Sequence, residues 1–305
     1  MGFFACAATL PFVLLVARRW QLIRAAGSLD IHSRPVPRLG GVGILAGLLA
    51  VFVSHPSFQF EAHLALLGAT LTIWLTGLTD DLWRLHPGLR LILQTASSAT
   101  LWFAGWQLPV PGPFFLNLFF TALFIVLLIN AFNMLDGSDG LAAGVSTIIA
   151  LGFLVWFAAT SNSFGAAIAA SLFGSCLGFL LFNFPPARIF MGDSGSYTLG
   201  FVFALLSLEF LRLQPGLGFH WFLPFLFSAF PVLDLLYAVF RRLLARTSPL
   251  EGDRGHFYDL LLQRGWSPRR VFFVSSLGTA ILVSLGWLLG RWEAATLMSQ
   301  LGFKG

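Results

Sequence analysis

Long apolar stretches, separated by short polar segments, follow one another along the whole chain. A helix that crosses a bilayer needs about 20 mostly apolar residues, and these stretches approach or reach that length. The predicted spans lie near residues 3–17, 40–54, 63–79, 90–107, 114–132, 141–160, 164–184, 196–212, 220–240 and 271–290. The pattern therefore predicts an all-α polytopic membrane protein with about ten transmembrane helices, organised as a single integral-membrane domain over residues 1–305.

The composition agrees with this prediction. Of the 305 residues, 57% are hydrophobic and only 10% are charged, whereas soluble domains carry roughly 25% charged residues. Both cysteines, Cys6 and Cys176, lie inside apolar runs. We therefore expect neither a disulfide framework nor a cysteine metal site.

The connectors between the predicted spans are of two kinds, one short and plain, the other rich in arginine and aspartate. The polar set lies at about residues 18–39, 80–89, 133–140, 185–195 and 241–270. Together with Arg90, which directly follows the second of these segments, it holds 15 of the 18 lysines and arginines, and positively charged loops stay in the cytosol. We therefore expect these loops in the cytosol and both termini outside it. The net charge of +5 suits an anionic inner leaflet and does not require nucleic acid.

The aspartates gather on the same side as the arginines. The polar loops and the helix ends beside them contain Asp80, Asp81, Asp136, Asp139, Asp193, Asp253 and Asp259. A transporter would be expected to place ionisable groups near the bilayer midplane. Acids at one interface instead favour chemistry at the cytosolic surface, although Asp234 falls inside a predicted span.

The stretch "NAFNMLDGSDGLAAG" places four polar side chains after a very apolar run. They are spaced by three residues and comprise Asn130, Asn133, Asp136 and Asp139. Each such step drifts by about 60° on a helix of 3.6 residues per turn, so one straight helix cannot aim all four at one point. Gly137 and Gly140 indicate a break. Two interpretations stand: a solvated helix end, or an oxygen-rich site for a hard cation or polar ligand groups.

Two further acidic segments lie beside predicted spans. In "TDDLWRL", Asp80 and Asp81 are adjacent carboxylates that disfavour each other's ionisation, which indicates either a metal-linked or base role or an interfacial turn. In "RIFMGDSGS", Asp193 lies between Gly192 and Ser194, where small neighbours permit close approach by a metal, and the serines read as helix caps.

Basic residues accompany these acids. "HSRPVPRLGG" offers His32 and Arg38 in a proline-stiffened loop, as an anion site or as a simple membrane anchor. Arg188 could hold a phosphate, and His256 begins a segment that predicts a short amphipathic helix on the membrane surface. Together the residues suit a metal and phosphate site that opens onto the bilayer, for a reaction joining a soluble phosphorylated donor to a lipid phosphate.

Five motifs give the chain a family resemblance over about residues 30 to 270. It resembles the polyprenyl-phosphate N-acetylhexosamine-1-phosphate transferases, in glycosyltransferase family 4. The motifs, in the family's order, are "HSRPVPRLGG", "TDDLWRL", "NAFNMLDGSDGLAAG", "RIFMGDSGS" and "DRGHFYDLL". The first and last of them look closer to the undecaprenyl-phosphate N-acetylglucosamine-1-phosphate transferase branch than to the phospho-MurNAc-pentapeptide transferase branch.

The resemblance implies a ten-helix enzyme of a bacterial-type inner membrane, with its active site facing the cytosol. Such an enzyme uses Mg²⁺, which Mn²⁺ can replace, to move a sugar-1-phosphate from a UDP-N-acetylhexosamine to polyprenyl phosphate. The products would be UMP and a lipid-linked pyrophosphoryl sugar, the first membrane intermediate of a cell-envelope glycan. Partners are then the two substrates and membrane lipid, and a homodimer is left open. Direct attack by the lipid phosphate is favoured over a covalent aspartyl intermediate.

Motif position also implies roles for individual residues. The metal ligands would be Asp193 and Asp80. The predicted catalytic set, whose polar side chains serve the metal, the lipid phosphate and the donor diphosphate, is Asp80, Asp81, Asp136, Asp139 and His256. With the basic residues of the loops, the predicted substrate-binding set is Asn133, Arg188, Arg254, His32 and Arg38.

Departures from the family pattern leave alternatives open. The family often has H-x-H-H in the last loop, where this chain has "HFYD", and Arg84 at best replaces a lysine after the paired aspartates. The donor sugar therefore stays open between UDP-GlcNAc, UDP-GalNAc and a deoxy-amino sugar. A lipid-carrier flippase or transporter and a non-catalytic relative are the alternative functions. A CDP-alcohol phosphotransferase is disfavoured because its D-G-x-x-A-R…G-x-x-x-D-x-x-x-D pattern does not occur.

Overall fold

Helices form all the regular structure in the part of the chain that is described. The computed structural model describes residues 1–20, 36–54, 60–213, 219–248 and 253–300. The helices within these residues are α1 (Gly2–Arg19), α2 (Gly40–Ser54), α3 (Phe60–Trp83), α4 (Pro87–Phe103), α5 (Phe114–Leu135), α6 (Leu141–Ala159), α7 (Ser163–Asn183), α8 (Gly192–Arg212), a 3-10 turn (Phe219–Phe222), α9 (Leu223–Phe227), α10 (Ala229–Leu244), α11 (Phe257–Gln263) and α12 (Pro268–Gln300).

The lengths and apolar character of these helices make the chain a polytopic α-helical membrane protein. Among the described residues, six helices are long and apolar enough to cross a bilayer: α1, α5, α6, α7, α8 and α12, and α2 is a shorter apolar helix. Large apolar side chains such as Phe119, Phe240 and Leu277 are exposed on the outer faces of the bundle. Such apolar surfaces suit contact with the hydrocarbon chains of lipid rather than with water.

Helix α8 is the centre of the bundle and is buried along nearly its whole length. It packs against α2, α3 and α5, while α1 and α7 pack against α2 and each other, and α6 packs against α7. Small residues allow the close approach: a Cβ on Gly41 would collide with the Gly195 backbone, and one on Gly200 would lie 2.5 Å from Ile129 Cα. Membrane helices commonly associate through such small-residue contacts.

The far end of α8 carries a buried acid that sequence analysis did not single out. Glu209 is 1% exposed and accepts hydrogen bonds from Trp106 Nε1 at 3.0 Å and Asn162 Nδ2 at 2.9 Å. Arg212 forms an ion pair with it at 3.0 Å. Because a buried carboxylate is tolerated only when it is paired and hydrogen-bonded, these contacts tie the α4–α5 connector and the α6–α7 connector to the end of α8.

The predicted span 220–240 is interrupted. A 3-10 turn and α9 are followed by a break at Ser228, after which α10 continues to Leu244. Pro231 lies in the first turn of α10 and has no backbone N–H to donate to the carbonyl four residues earlier, so a continuous helix cannot form there. The short helix predicted after His256 is observed as α11.

The contact between α8 and α5 predicts a difference between two glycine substitutions. Gly200→Ala should lower the free energy of unfolding by about 1–3 kcal/mol, because the added methyl meets backbone atoms of α5 that cannot move independently. Gly68→Ala is the matched control: it is also within a helix, and its methyl would meet open space. Thermal unfolding in detergent measures both, and an equal change in the two variants would contradict the packing.

Candidate active site

A cavity of about 350 Å³ opens where several helices begin or end. Its wall is formed by the ends of α3, α5 and α10 and by the beginnings of α4, α8 and α11. Each of the five polar segments identified in the sequence contributes lining residues. The loops that are scattered along the chain therefore meet around one polar space.

The contact between Asp81 and the start of α8 fixes the floor of the cavity. Asp81, near the end of α3, accepts the backbone N–H of Asp193 through Oδ1 at 2.8 Å and that of Ser194 through Oδ2 at 3.0 Å. A carboxylate at a helix N-terminus accepts hydrogen bonds from amides that have no partner within the helix, and its negative charge interacts favourably with the helix dipole. Both oxygens of Asp81 are thus used to hold α8.

Gly192 permits this close approach. Its φ is +73°, in the left-handed region, and a Cβ there would lie 2.6 Å from both the Arg38 carbonyl oxygen and Asp81 Oδ2. Only glycine adopts such a backbone without cost and leaves that space free. The sequence "MGDSG" is therefore required locally by the way that α8 begins.

The side chain of Asp193 points into the cluster of acids. Its Oδ1 accepts a hydrogen bond from Asn133 Nδ2 at 2.7 Å, and the same amide group contacts Ser196 Oγ at 3.1 Å. The Asp193 carboxylate also interacts electrostatically with those of Asp81 and Asp80. Asn133 therefore joins the end of α5 to the first turn of α8 at the point where negative charge accumulates.

The two adjacent aspartates of α3 have different surroundings. Asp80 is 4% exposed and accepts the Leu85 N–H at 2.7 Å, Arg90 at 2.8 Å and the Tyr197 hydroxyl at 3.1 Å. Asp80 is thus surrounded by donors, and Arg90 extends this group to the cavity wall. The predicted pair is brought to one site, with Asp80 facing Arg90 and Asp81 facing α8.

Asp136 adds a further carboxylate to this group of acids, with Arg38 as a nearby cation. It follows α5 and lines the cavity. Burial raises the pKa of Asp136 well above its usual range, and the Asp81 carboxylate raises this pKa further, while Arg38 and the Gly192 amide lower it. This group of acids is short of countercharge, which a bound cation would supply.

The donor atoms fit a hard divalent cation in part. Within the described ranges, no three acidic, histidine or cysteine side chains converge as a ready-made metal cage. Mg²⁺ usually takes only one or two protein carboxylates, with phosphate and water oxygens completing its shell. Asp193 and its acidic neighbours are oxygen ligands of this kind, so the residues fit a cation that is held jointly with a phosphate substrate.

The opposite wall is basic and comes from α10 and the start of α11. Asp253 joins Arg241 at 2.7 Å and Arg242 at 3.0 Å. The hydrogen bond from Arg241, followed by that from Arg242, holds the pKa of Asp253 well below its usual range despite partial burial. These contacts fix the loop that carries Arg254 and His256, both of which line the cavity.

His256 and Tyr258 are held between α10 and the central motif. His256 Nδ1 lies 2.9 Å from Asp234 Oδ2, and its ring stacks on that of Tyr258. The Tyr258 hydroxyl donates to the Met134 carbonyl at 3.3 Å, and it lies where a Cβ on Gly137 would be. Gly137 therefore makes room for the phenol that stands in the histidine motif.

Asp80 does not line the cavity itself and is linked to it through Arg90, and three other predicted site residues lie away from the cavity or outside the described residues. Asp139 is buried and accepts the Ala187 N–H at 3.0 Å, so it fastens the segment before α8. Arg188 donates to the Leu181 carbonyl at 2.7 Å and does not line the cavity. His32 lies outside the described residues. Arg38, by contrast, lines the cavity.

Comparisons with known proteins decide the family. A model of glycosyl transferase family 4 matches residues 63–211. The decaprenyl-phosphate N-acetylglucosaminephosphotransferase of Mycobacterium tuberculosis (strain ATCC 25618 / H37Rv) is 33% identical over 307 residues, covering 88% of this chain and 76% of the relative. The chain belongs to glycosyl transferase family 4. The undecaprenyl-phosphate alpha-N-acetylglucosaminyl 1-phosphate transferase of Escherichia coli (strain K12) is 28% identical over 301 residues, covering 91% of this chain and 79% of that relative.

Membership of glycosyl transferase family 4 makes the protein a membrane-embedded transferase. The sequence analysis did not assign a role to three residues that line the cavity or hold a lining residue in place: Arg90, Arg242 and Asp234. Arg90 had a weak signal, a cation at the start of an otherwise apolar helix. Asp234 had a stronger one, because a charge inside a membrane segment calls for a nearby partner. The partner itself, His256, could not be identified from the sequence pattern.

The start of α8 predicts unequal effects of two alanine substitutions. Gly192→Ala and Gly265→Ala both place a side chain at positive φ, +73° and +85°, which costs roughly 1–2 kcal/mol. Only the Gly192 methyl collides with Asp81 and Arg38; Gly265 has open space around it. Gly192→Ala should therefore be less stable by a further 1–3 kcal/mol, roughly. Thermal unfolding tests this, and a loss in Gly265→Ala that equals the loss in Gly192→Ala would contradict it.

Proposed function

We propose that the protein transfers an N-acetylhexosamine-1-phosphate from a UDP-sugar to a polyprenyl phosphate, with release of UMP. The observation that carries the proposal is a cavity in which acids at the ends of α3 and α5 and at the start of α8 face arginines from α4 and α10. The relatives named above, which act on decaprenyl or undecaprenyl phosphate, supply the substrate class. GlcNAc in their names favours UDP-GlcNAc as donor.

Charge neutralisation is the main task of such a site. The lipid phosphate and the donor diphosphate each carry about two negative charges near neutral pH, and their approach is opposed by mutual repulsion. Within the described part of the chain, four arginines line the cavity: Arg38, Arg90, Arg242 and Arg254. Guanidinium groups bind phosphate oxygens in bidentate fashion, and preorganised charges of this kind supply most of the stabilisation of a phosphoryl-transfer transition state.

The acidic side of the cavity suits Mg²⁺, with Mn²⁺ as a substitute. In the proposal, Asp193 is the principal ligand and Asp80 lies next to it, while Asp81 holds Asp193 in place by binding the α8 amides. When bound, the cation supplies a Lewis acid for the diphosphate oxygens. Asn133 orients Asp193 through the hydrogen bond at 2.7 Å, and Asp136 lines the space for the nucleotide and diphosphate.

The proposed reaction is a direct displacement. An oxygen of the lipid phosphate attacks the β-phosphorus of the UDP-sugar, and a new P–O–P bond joins lipid and sugar. The bond between the β-phosphorus and the oxygen that it shares with the α-phosphorus breaks. Its electron pair stays on that oxygen, which leaves as part of UMP. Because a phosphate monoester is already mostly doubly ionised at neutral pH, little proton removal is required from the nucleophile.

The lipid substrate must reach the cavity from the bilayer. On α4, Arg90 and Leu91 line the cavity, while Leu89 and Ile92 of the same turn are exposed on the outside of the bundle. One helix turn thus presents a cation to the cavity and apolar side chains to lipid. We place the polyprenyl phosphate along this edge, with its phosphate at Arg90.

The proposal includes a topology. The ten spans would be α1 to α8, α9 with α10 as the interrupted ninth, and α12 as the tenth, forming one integral-membrane transferase domain. Helices α3, α5 and α10 end, and α8 begins, at the cavity. The loops at that side hold most of the arginines, which supports a cavity that faces the cytosol of a bacterial cell, with both termini on the other side of the membrane.

A lipid-carrier flippase or transporter is the rival function. It would require ionisable groups along a path across the bilayer. The charged group on α8 at the opposite end, Glu209, is closed by Trp106, Asn162 and Arg212, and the α8 residues between Tyr197 and Glu209 are buried and uncharged. This distribution supports transfer at one surface rather than passage.

The first prediction for the activity concerns Asp193. Purified wild-type protein with Mg²⁺ should release UMP from UDP-GlcNAc or another UDP-N-acetylhexosamine only when polyprenyl phosphate is present. Asp193→Asn should lower kcat by roughly 10²–10³-fold, because a charged group at the diphosphate is lost. Gly68→Ala, at an open position on α3, is the control and should retain wild-type activity. Lipid-independent release, or full activity in Asp193→Asn, would refute the proposal.

The same assay separates Asp193 from Asp139. Asp139→Asn keeps an oxygen that can accept the Ala187 N–H, so a role limited to holding that loop predicts a loss of less than about tenfold. A loss as large as that of Asp193→Asn would place Asp139 in the catalytic machinery.

A further prediction concerns the orientation of the protein in the membrane. In a background with Cys6 and Cys176 replaced by alanine, single cysteines are introduced at the exposed positions Ser161 and Arg264. A membrane-impermeant maleimide should label Ser161→Cys in intact cells, because the α6–α7 connector lies outside. It should label Arg264→Cys only after permeabilisation. The reverse pattern would place the cavity on the outer side of the membrane.

A further inference from the structure

His256 has a polar partner on each ring nitrogen. Asp234, in α10, places Oδ2 2.9 Å from Nδ1, and Arg242, two turns later in the same helix, places a guanidinium nitrogen 3.4 Å from Nε2. His256 and Asp234 are 4% and 5% exposed, and Arg242 is 2% exposed. The imidazole is therefore held between an acceptor and a donor with little competing water.

These two contacts are consistent with one arrangement of the imidazole hydrogen. An ionised carboxylate only accepts hydrogen bonds, and a guanidinium only donates them. The contact with Asp234 therefore requires a hydrogen on Nδ1, and the contact with Arg242 requires a lone pair on Nε2. The neutral Nδ1–H tautomer of His256 satisfies both, and the tautomer of a histidine is generally set by such a partner.

Asp234 also fixes the backbone that carries the histidine. Its second oxygen, Oδ1, accepts the N–H of Phe257 at 2.7 Å, and Phe257 is the first residue of α11. One carboxylate therefore holds both the ring of His256 and the peptide that follows it. Two contacts from a buried helix restrict the rotation of the ring as well as the position of the loop.

The Nε2 edge of the ring is the edge that faces the cavity. His256 and Arg242 both line the cavity, whereas Asp234, on the Nδ1 side, does not. The imidazole thus stands between a buried carboxylate and the space assigned above to the donor diphosphate. The arrangement parallels hydrolase triads, in which a buried aspartate orients a histidine and sets its tautomer.

We propose that Asp234 is a positioning residue that acts through His256: it holds the Nδ1–H tautomer and directs Nε2 at the donor diphosphate. This inference rests on the proposed transferase function for the identity of the ligand. An incoming diphosphate accepts hydrogen bonds from Arg242, and Nε2 donates to it once the ring takes up a proton from water, with Nδ1–H still held by the Asp234 carboxylate that stabilises the imidazolium. The family motif contributes the histidine, and α10 contributes the group that determines what this histidine presents.

Asp234→Asn is the informative substitution because it preserves shape and reverses one hydrogen bond. The asparagine oxygen can still accept the Phe257 N–H, so the loop keeps its anchor. The amide nitrogen then faces Nδ1 and donates, which favours a hydrogen on Nε2, directed at the Arg242 donor. The loop is kept, and the tautomer is expected to change.

The kinetic test is a double-mutant cycle with His256→Gln. Asp234→Asn alone should lower kcat for UMP release by roughly 10²-fold, the scale of a correctly protonated catalytic histidine, with KM for the UDP-sugar changed less than about threefold. In the His256→Gln background the same substitution should cost less than about threefold, because the residue through which Asp234 acts is gone. Losses that multiply in full would overturn the proposal.

Asp259→Asn is the matched control. The Asp259 carboxylate accepts the backbone N–H of His256 at 3.3 Å and so supports the same loop through its backbone. Whatever loss it causes should persist in the His256→Gln background, since it acts on the loop and not on the imidazole. A loss in Asp259→Asn that disappears in that background would show that the cycle does not isolate the ring.

A spectroscopic measurement decides the tautomer without any assay of turnover. The chain has six histidines, and the ¹⁵N imidazole signals of His256 are assigned in histidine-labelled protein by their loss in His256→Gln. Wild type should show hydrogen on Nδ1, Asp234→Asn should show it on Nε2, and Asp259→Asn should resemble wild type. Hydrogen on Nε2 in the neutral wild-type ring would overturn the proposal even if Asp234→Asn did not fold.

The two readouts also separate this proposal from the proposed function. If the wild type releases no UMP while the Nδ1–H signal is present and switches in Asp234→Asn, the transferase assignment fails and the contact that sets the tautomer stands. If UMP is released but the tautomer is wrong or the losses multiply, the transferase stands and the positioning role fails.

Discussion

The hydrogen bonds from the first amides of α8 to Asp81 are the contacts on which the rest of the site depends. A helix that begins inside a protein leaves amides without intrahelical partners, and here one carboxylate from α3 accepts two of them. The contact requires a backbone at Gly192 that passes within van der Waals range of Asp81. It places Asp193 beside Asn133 and sets the position of α8, against which α2, α3 and α5 pack.

Charge at this end of the bundle is organised by pairing. Asp80 has Arg90 and Tyr197, Asp253 has two arginines, and Asp234 has His256. Removing one member of such a buried pair is costly, because the other is left without a partner in a low-dielectric medium. The group around Asp136 and Asp193 is the part of the site with the least compensation, which is why a cation and the phosphates of substrates fit there.

The two ends of α8 differ in whether their polar groups are open to ligands. At the cavity end, polar side chains line an open space that can admit ligands. At the other end Glu209 is surrounded by Trp106, Asn162 and Arg212 and is closed. A buried helix that is anchored by polar contacts at both ends, and packed through small residues between them, provides a rigid support. Such rigidity suits a site in which charged groups must be preorganised.

The sequence by itself determined the class of fold and the segments that build the site, because hydropathy, arginine distribution and motif spacing are local properties that can be read without knowing any long-range contact. It could not distinguish the surroundings of Asp80 from those of Asp81. The tertiary structure decided this, and it also placed Asp139 beneath a loop and Asp234 beside His256. Those outcomes depend on which side chains meet across long separations in the chain, such as the 112 residues between Asp81 and Asp193, and on burial that no short pattern encodes.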